Sequence, residues 1–169
     1  KKIFFIIFLF CFFLLPSAVS AVTYYVSTSG NDSNSGTTTS APFRTLNYSV
    51  SRMASGDVLN VRGGTYFEAL EGNIRSNTTI QAYNGETVWM NGSGYRVISF
   101  NNQNNIVIDG INIDASNISI DAVKFSGSST YITFRNLEIR TTTPGELKQG
   151  ILVADQSDHN TFRNIRVHG

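Results

Sequence analysis

A repeat in the second half of the chain constrains the fold more than any other feature of the sequence. Three segments align without gaps, and each reads apolar, any residue, apolar, two turn-prone residues, apolar, any residue, apolar. They are residues 106–113 (IVIDGINI), 132–139 (ITFRNLEI) and 160–167 (NTFRNIRV), with a polar Asn160 as the exception at a first position. The matched positions Ile108, Phe134 and Phe162 follow one another at spacings of 26 and 28. A period between about 20 and 50 residues is typical of solenoids, propellers and arrays.

A shorter apolar run precedes each copy, at residues 97–100, 122–125 and 150–153. Each repeat therefore holds three apolar stretches, and apolar residues alternate within each stretch as they do in a strand with one buried face. Gly110, Asn136 and Asn164 occupy one position in the two-residue break, and these residue types tolerate left-handed dihedrals best. We therefore predict an all-β fold: a right-handed parallel β-helix with three strands per coil.

Coils of such a helix stack about 4.8 Å apart, which would align matched residues in columns. The inward columns predicted from the repeat are Ile108, Phe134, Phe162; Ile111, Leu137, Ile165; Ile113, Ile139, Val167; and Phe100, Phe125, Val153. At the bend, Asn136 would lie over Asn164, where their amides can form a ladder. An antiparallel sandwich of short strands is the alternative fold, but a sandwich does not require a nearly constant spacing.

The segment 1–21 has the layout of a secretory signal peptide. Two lysines precede an unbroken apolar run over residues 3–15, and small residues at 19–21 supply a cleavage site before Val22. The run is too short to span a bilayer as a helix, although an uncleaved anchor is the alternative. The single cysteine, Cys11, lies in this segment, so the mature chain would hold no disulfide.

Residues 22–56 are predicted to form an N-terminal cap made of a strand, a loop and a short helix. Phe43, Leu46, Val50 and Met53 recur at helical spacing, and the helix is expected to end at Gly56. A solenoid needs such an atypical terminal unit to shield the open end of its core.

Residues 57–169 are predicted to form the coils, with 57–61 as the first core strand. The sequence ends at Gly169 in the middle of a repeat, leaving Ile165 and Val167 uncovered. Natural proteins cover open strand edges, so we expect the coil region to be truncated at its C-terminus.

Several N-terminal segments carry a resemblance to a known family. They are residues 24–27 (YYVS), 30–32 (GND), 41–46 (APFRTL), 55–62 (SGDVLNVR) and 64–66 (GTY). Together they resemble the N-terminal cap of secreted pectate lyase-like β-helix proteins, and the similarity runs from about residue 23 to the end. The resemblance is specific for the scaffold and much less so for activity, because many chemistries share this fold.

The resemblance implies a secreted carbohydrate-active protein, a polysaccharide lyase or uronan epimerase-like scaffold that acts on acidic polysaccharide. Proton removal beside a uronate carboxylate needs neutralisation of that carboxylate, by Ca²⁺ or basic side chains, and a Lys or Arg base. The outward columns offer Lys124, Arg135 and Arg163 as catalytic candidates. Asp155 and Asp158, on the loop after the apolar run 150–153, are the candidate metal ligands, because two nearby carboxylates can hold Ca²⁺.

Each of these candidates also has a structural interpretation. Stacking would pair Asp109 with Arg135, Asp114 with Arg140 and Glu138 with Arg166, which is ordinary cross-strand charge pairing. An exposed lysine is usually solvated, and aspartates are normal turn residues. A non-catalytic extracellular or adhesive β-helix is therefore the alternative function.

Composition limits the partners. The formal net charge is +1 and charged residues make up 15% of the chain, which argues against a nucleic-acid interface. The expected partner is a polysaccharide. The chain is expected to have no stable membrane span and to be a monomer at full length. Five sequons, whose use requires a eukaryotic host, give the glycosylation candidates Asn31, Asn47, Asn77, Asn91 and Asn117.

Overall fold

The computed structural model describes residues 20–142 and 149–169, and this part of the chain winds into a right-handed parallel β-solenoid of about four turns. The predicted signal peptide, residues 1–21, lies outside the described residues except for its last two, and so does Cys11. All strand pairs in the described part run parallel. The predicted all-β solenoid with one short helix is confirmed.

The described residues form thirteen strands and one α-helix. The strands are β1 (Thr23–Val26), β2 (Val58–Val61), β3 (Gly64–Tyr66), β4 (Leu70–Glu71), β5 (Thr78–Ala82), β6 (Val88–Met90), β7 (Gly94–Asn101), β8 (Ile106–Asp109), β9 (Ile111–Asp114), β10 (Ile118–Ser126), β11 (Thr133–Arg140), β12 (Gln149–Val153) and β13 (Thr161–His168). Helix α1 (Leu46–Arg52) lies between β1 and β2, and a 3₁₀ turn (Tyr83–Gly85) lies between β5 and β6.

The stacked strands form three faces around one core. The first face contains β1, β2, β5, β8 and the first half of β11, and the second contains β3, β6, β9 and the second half of β11. The third face contains β4, β7, β10 and β12. Strand β13 pairs along the whole of β11 and extends the first two faces. Each complete turn of the solenoid thus contributes one strand, or half of a bent strand, to every face.

In the last three coils, the bend between the first and second faces is made by a single residue with left-handed dihedrals. Gly110 (φ 71°) joins β8 to β9, and Asn136 (φ 55°) and Asn164 (φ 51°) bend β11 and β13 at the same point. The Asn164 Nδ2 donates to Asn136 Oδ1 at 2.9 Å, so the two amides stack across neighbouring coils. An asparagine thus makes the bend and also satisfies side-chain hydrogen bonds along the stack.

The strand register confirms the predicted columns, and their members are buried except in the last coil, where Val153, Phe162 and Val167 are exposed. Phe134 lies opposite both Ile108 and Phe162, and Phe125 lies opposite Phe100 and Val153. Side chains from different faces meet at the centre of the coil, where the Phe125 ring centroid is 5.6 Å from that of Phe134. The core is therefore a continuous aromatic and aliphatic stack along the solenoid axis.

Helix α1 is shorter than predicted at both ends. Phe43 precedes it and bridges to Val26, while Met53 is already extended (ψ 142°), before the predicted end at Gly56. Contacts from distant segments set the start of the helix. The Asp32 carboxylate accepts hydrogen bonds from the N-cap residue Thr45, and the Glu68 carboxylate accepts from the first two helical N–H groups. The four apolar residues predicted to face the core are all buried.

Strand β1 belongs to the coil stack. It pairs with β2 in parallel and is therefore a full member of the first face, so the prediction that residues 57–61 form the first core strand is wrong. Asp57 immediately precedes β2, and its carboxylate accepts hydrogen bonds from Val22 N (2.7 Å) and Ala54 N (2.6 Å). This buried carboxylate connects the chain entering β1 to the chain leaving α1.

Within residues 20–142 and 149–169, no helix has the length and apolar character needed to cross a membrane.

Candidate functional site

Ion pairs join neighbouring coils at several places on the outer surface. Four arginines pair with carboxylates: Arg62 with Glu86 (3.0 Å), Arg96 with Asp121 (3.0 Å), Arg135 with Asp109 (2.8 Å) and Arg140 with Asp114 (3.1 Å). Two of these pairs, Arg135 with Asp109 and Arg140 with Asp114, are the predicted ones and are confirmed. These four arginines thus connect neighbouring coils through ion pairs.

The third predicted pair has a different partner. Glu138 and Arg166 are direct register neighbours, as expected. However, Glu138 Oε1 lies 2.9 Å from Nε2 of His168, which is the diagonal neighbour two positions further along β13. Long side chains reach diagonal positions easily on a sheet, so register alone does not determine the partner.

Asp114, at the end of β9, is a carboxylate held by several donors. It accepts hydrogen bonds from the Ser116 hydroxyl and backbone and from Arg140, and its side chain is only 9% exposed. Burial by itself raises the pKa of the Asp114 carboxyl, but these hydrogen bonds outweigh burial and hold that pKa below its ordinary value. Asp114 is therefore ionised in the folded protein at neutral pH.

We expect the Asp114 carboxylate to make the free energy of unfolding fall as the pH is lowered into the acid range. A lowered pKa in the folded state means that the contribution of Asp114 is complete above the unfolded pKa of about 3.9 and is lost as the pH falls through the folded value. Urea denaturation between neutral pH and strongly acidic pH should show wild type more stable than Asp114→Asn near neutrality, with the difference shrinking below about pH 4. Asp155→Asn, at an exposed aspartate with no ion pair to another described residue, is the matched control, and a pH-independent difference for Asp114→Asn would contradict the expectation.

The structure brings two of the three catalytic candidates together and separates the third. Arg135 and Arg163 are register partners on the outside of the first face, and Arg135 is held by Asp109. Lys124 lies on β10 in the third face, on a different side of the coil. A site containing all three side chains is therefore excluded by the fold.

Lys124 occupies the middle of an outward column on the third face. The column runs Glu71, Ser99, Lys124, Leu152 on four adjacent parallel strands. Lys124 is half-buried and forms no ion pair or hydrogen bond with another residue in the described ranges. Glu71 is two strands away, or about 10 Å along the stack. The positive charge of Lys124 is thus not neutralised by a carboxylate of a neighbouring coil in the described part of the chain.

Two further features lie where this face begins. Arg96 and Asp121 are paired at 3.0 Å, and Asp121 is buried while Arg96 keeps one fifth of its side chain exposed. Beside them, Tyr95 is 63% exposed and Ile120 is 44% exposed. Sequence reasoning did not identify this pair, although its two members are separated by the same spacing that relates residues 97–100 to 122–125. We call Tyr95, Arg96, Ser99 and Lys124, with Asp121, the third-face site.

The candidate metal ligands lie on the loop after β12. Asp155 and Asp158 are both exposed, and Asp158 Oδ1 lies 2.8 Å from Nδ1 of His159. In the two described ranges, no group of three or more His, Cys, Asp or Glu side chains is arranged to hold a metal ion.

The five sequon asparagines lie on the surface. Asn31, Asn47, Asn77 and Asn117 are exposed and Asn91 is half-buried. The Asn117 Nδ2 donates to Asn91 Oδ1 at 2.6 Å, and the Asn47 Nδ2 donates to the Glu68 carboxylate. At Asn117 and Asn47 the amide nitrogen that a glycan would modify is engaged in the folded protein.

The chain was compared with known proteins by sequence and by structure. No family model matches the chain. The chain is 30% identical over 132 residues to the uncharacterized protein YwoF of Bacillus subtilis (strain 168), an alignment that takes in 69% of this chain and 28% of that protein. Its structure resembles that of a rhamnogalacturonan lyase with a TM-score of 0.67 and 14% sequence identity, covering 87% of this chain and 51% of the lyase. The chain therefore spans about half the length of the lyase and just over a quarter of YwoF.

Proposed function

We propose that this chain, a right-handed parallel β-helix of the pectate lyase-like kind, is part of a secreted protein that acts on acidic polysaccharide as a lyase or uronan epimerase. The observation that supports the proposal best is Lys124, which lies on an outward strand position and has no carboxylate partner within the described residues. The fold shared with a rhamnogalacturonan lyase adds support at the level of the scaffold.

The third-face site has groups suited to the first step of such a reaction. The Lys124 amine, when unprotonated, can accept the proton from the carbon next to a uronate carboxylate. The same amine cannot also neutralise that carboxylate, so a second cation is needed. That cation would be Ca²⁺ or a basic side chain other than Arg96, whose charge is already balanced by the buried Asp121 carboxylate at 3.0 Å. The exposed ring of Tyr95 offers an apolar surface with a polar hydroxyl, against which a sugar ring can pack.

Secretion and domain organisation are parts of the same proposal. A signal peptide over residues 1–21 would direct the chain out of the cell. Residues 22–56 would form the cap, whose strand β1 stacks on the first face, and residues 57–169 would form the coils that follow. The layout of the segment 1–21 and the absence of cysteine after Cys11 support this. Glycans at exposed sequons and a monomeric full-length protein are further parts of the proposal.

A non-catalytic adhesive β-helix is the second candidate. Four of the outer arginines already bind carboxylates of neighbouring coils, which favours a structural use of charge. On this hypothesis the third-face site binds polysaccharide without cleaving it.

Lys124→Ala is the variant that tests the catalytic proposal. The recombinant chain is incubated with polygalacturonate or alginate, with and without Ca²⁺, and the unsaturated product of elimination is followed by ultraviolet absorbance. We expect Lys124→Ala to lower the rate by roughly 100-fold or more, the usual effect of losing a general base. Arg52→Ala, which removes an exposed cation at the end of α1, is the matched control and should leave the rate unchanged.

Three results would decide between the candidates. Wild type that neither binds nor cleaves any acidic polysaccharide, with or without Ca²⁺, rejects the proposal. Binding that is weakened by Tyr95→Ala but never accompanied by cleavage favours the adhesive candidate. Cleavage that is equally fast in Lys124→Ala and in wild type would show that another residue is the general base.

A further inference from the structure

A groove of about 480 Å³ lies outside the bend between the first and second faces, away from the third-face site. Its volume falls within the range of about 300–1,000 Å³ that is usual for small-molecule sites. The side chains that matter below are Gln81, Asn84, Glu86, Asp109, Asn112 and Asn136. None of the lining residues is a lysine or arginine.

The groove exists because neighbouring coils make the same bend with different lengths of chain. Residues 83–87 join β5 to β6, whereas Gly110 alone joins β8 to β9 and β11 continues through Asn136 without a break. The longer connection stands out as a ledge over the tight bends. Gly110 and Ala82, two small residues, form the floor of the groove. A Cβ added at Gly110 would lie only 3.0 Å from the Cβ of Ala82, so glycine allows the two coils to approach closely at this point.

The ledge is held rigidly from the coil on its other side. Tyr83 lies under the Arg62 guanidinium (5.3 Å to the ring centroid) and edge-on to Tyr25 (5.7 Å between centroids). Arg62 Nε also donates to both oxygens of Glu86, and Gly63 N donates to Glu86 at 2.6 Å. A site held in this way loses little conformational entropy when a ligand binds.

The polar groups of the groove are oriented by neighbours yet retain unused hydrogen-bonding capacity. Asn112 Oδ1 accepts from Glu138 N, which leaves the Asn112 Nδ2 as a free donor. Gln81 donates to Asn60, which leaves its Oε1 as an acceptor, and the Asn84 amide on the ledge makes no hydrogen bond within the described ranges. Asp109 accepts from Arg135 and Asn136 and has lone pairs to spare. Donors and acceptors are thus interleaved around one concavity.

The charges of the groove select against anions. Glu86 and Asp109 are each paired to an arginine that lies behind them, and the carboxylates rather than the guanidiniums line the groove. An anionic sugar in the groove would face the oxygens of these two carboxylates, and no lysine or arginine lines the groove to bind it. A neutral sugar meets none of this repulsion, and its hydroxyls each donate and accept, which matches the interleaved amides and carboxylates.

We infer that this groove is a binding site for a neutral, hydroxyl-rich saccharide. The site is separate from the third face and does not depend on catalysis there. It would position a neutral segment or branch of a glycan on the outside of the coil bend.

The test uses ¹⁵N-labelled chain titrated by NMR with neutral disaccharides (galactobiose, arabinobiose and cellobiose), with digalacturonate and Ca²⁺ as separate probes. We expect at least one neutral disaccharide to shift the amide signals of Gly110 and Asn112, and to do so at lower concentration than either charged probe. Asn84→Gly removes the ledge amide while keeping the left-handed dihedral (φ 48°), and should weaken this binding roughly tenfold.

Matched variants separate this site from other effects. Asn102→Gly removes an exposed amide with a similar dihedral (φ 59°) elsewhere on the coil and should leave binding unchanged. Lys124→Ala should also leave it unchanged, so failure of the proposed catalytic function and failure of this inference give different results. No shift at the groove with any neutral disaccharide, or a preference for digalacturonate or Ca²⁺ there, overturns the inference.

Discussion

Phe125→Ala is expected to lower the free energy of unfolding by roughly 3–5 kcal/mol, the usual cost of emptying an aromatic position in a core. Phe125 is fully buried, and its ring centroid lies 5.0 Å from Phe100, 5.6 Å from Phe134 and 5.5 Å from Phe162. The last two come from the first face of two successive coils. Truncation would therefore remove contacts within the coil and between coils at once, and the stacked backbone cannot collapse around the cavity.

Equilibrium denaturation in urea, followed by circular dichroism, measures this loss. Phe67→Ala is the matched control, because Phe67 is 77% exposed, and it should change the free energy of unfolding by less than about 0.5 kcal/mol. If the alanine variant is too unstable to give a native baseline, Phe125→Leu should show a smaller loss in the same direction. Equal stabilities for Phe125→Ala and the control would show that the core is not packed as described.

Arg96→Ala is expected to destabilise the protein by roughly 3 kcal/mol, because it leaves a buried carboxylate without its partner. The side chain of Asp121 is only 3% exposed, and Arg96 Nε donates to its Oδ2 at 3.0 Å. The pair lies between β7 and β10 where the register shifts, so its loss also removes a contact that fixes how these strands align.

A double variant distinguishes loss of charge compensation from loss of packing. Arg96→Met with Asp121→Leu removes both charges and should recover much of the stability, since apolar side chains can replace a buried ion pair without penalty. Arg135→Ala is the control, because that pair is 43% and 21% exposed and should cost about 1 kcal/mol or less. A double variant as unstable as Arg96→Ala alone would contradict the argument.

How far each part of the site could be predicted depends on the range of the interactions involved. The outward position of Lys124 between Ser99 and Leu152 follows from counting along the repeat, and the register confirms it. The ends of α1 could not be predicted from helical spacing. The start of the helix depends on Asp32 and Glu68, which reach it from distant segments of the chain.

The sequence by itself determined the solenoid, its inward columns and the left-handed residues at its bend. These follow from a nearly constant period, which repeats the same local conformations and so stacks equivalent side chains whatever the details of the loops. Only the tertiary structure decided that Lys124 and Arg135 lie on different faces, that Glu138 contacts His168 instead of Arg166, and that a groove opens beside Gly110. The physical reason is that these features depend on unequal connection lengths and on rotamers chosen between coils, which no spacing within one coil specifies.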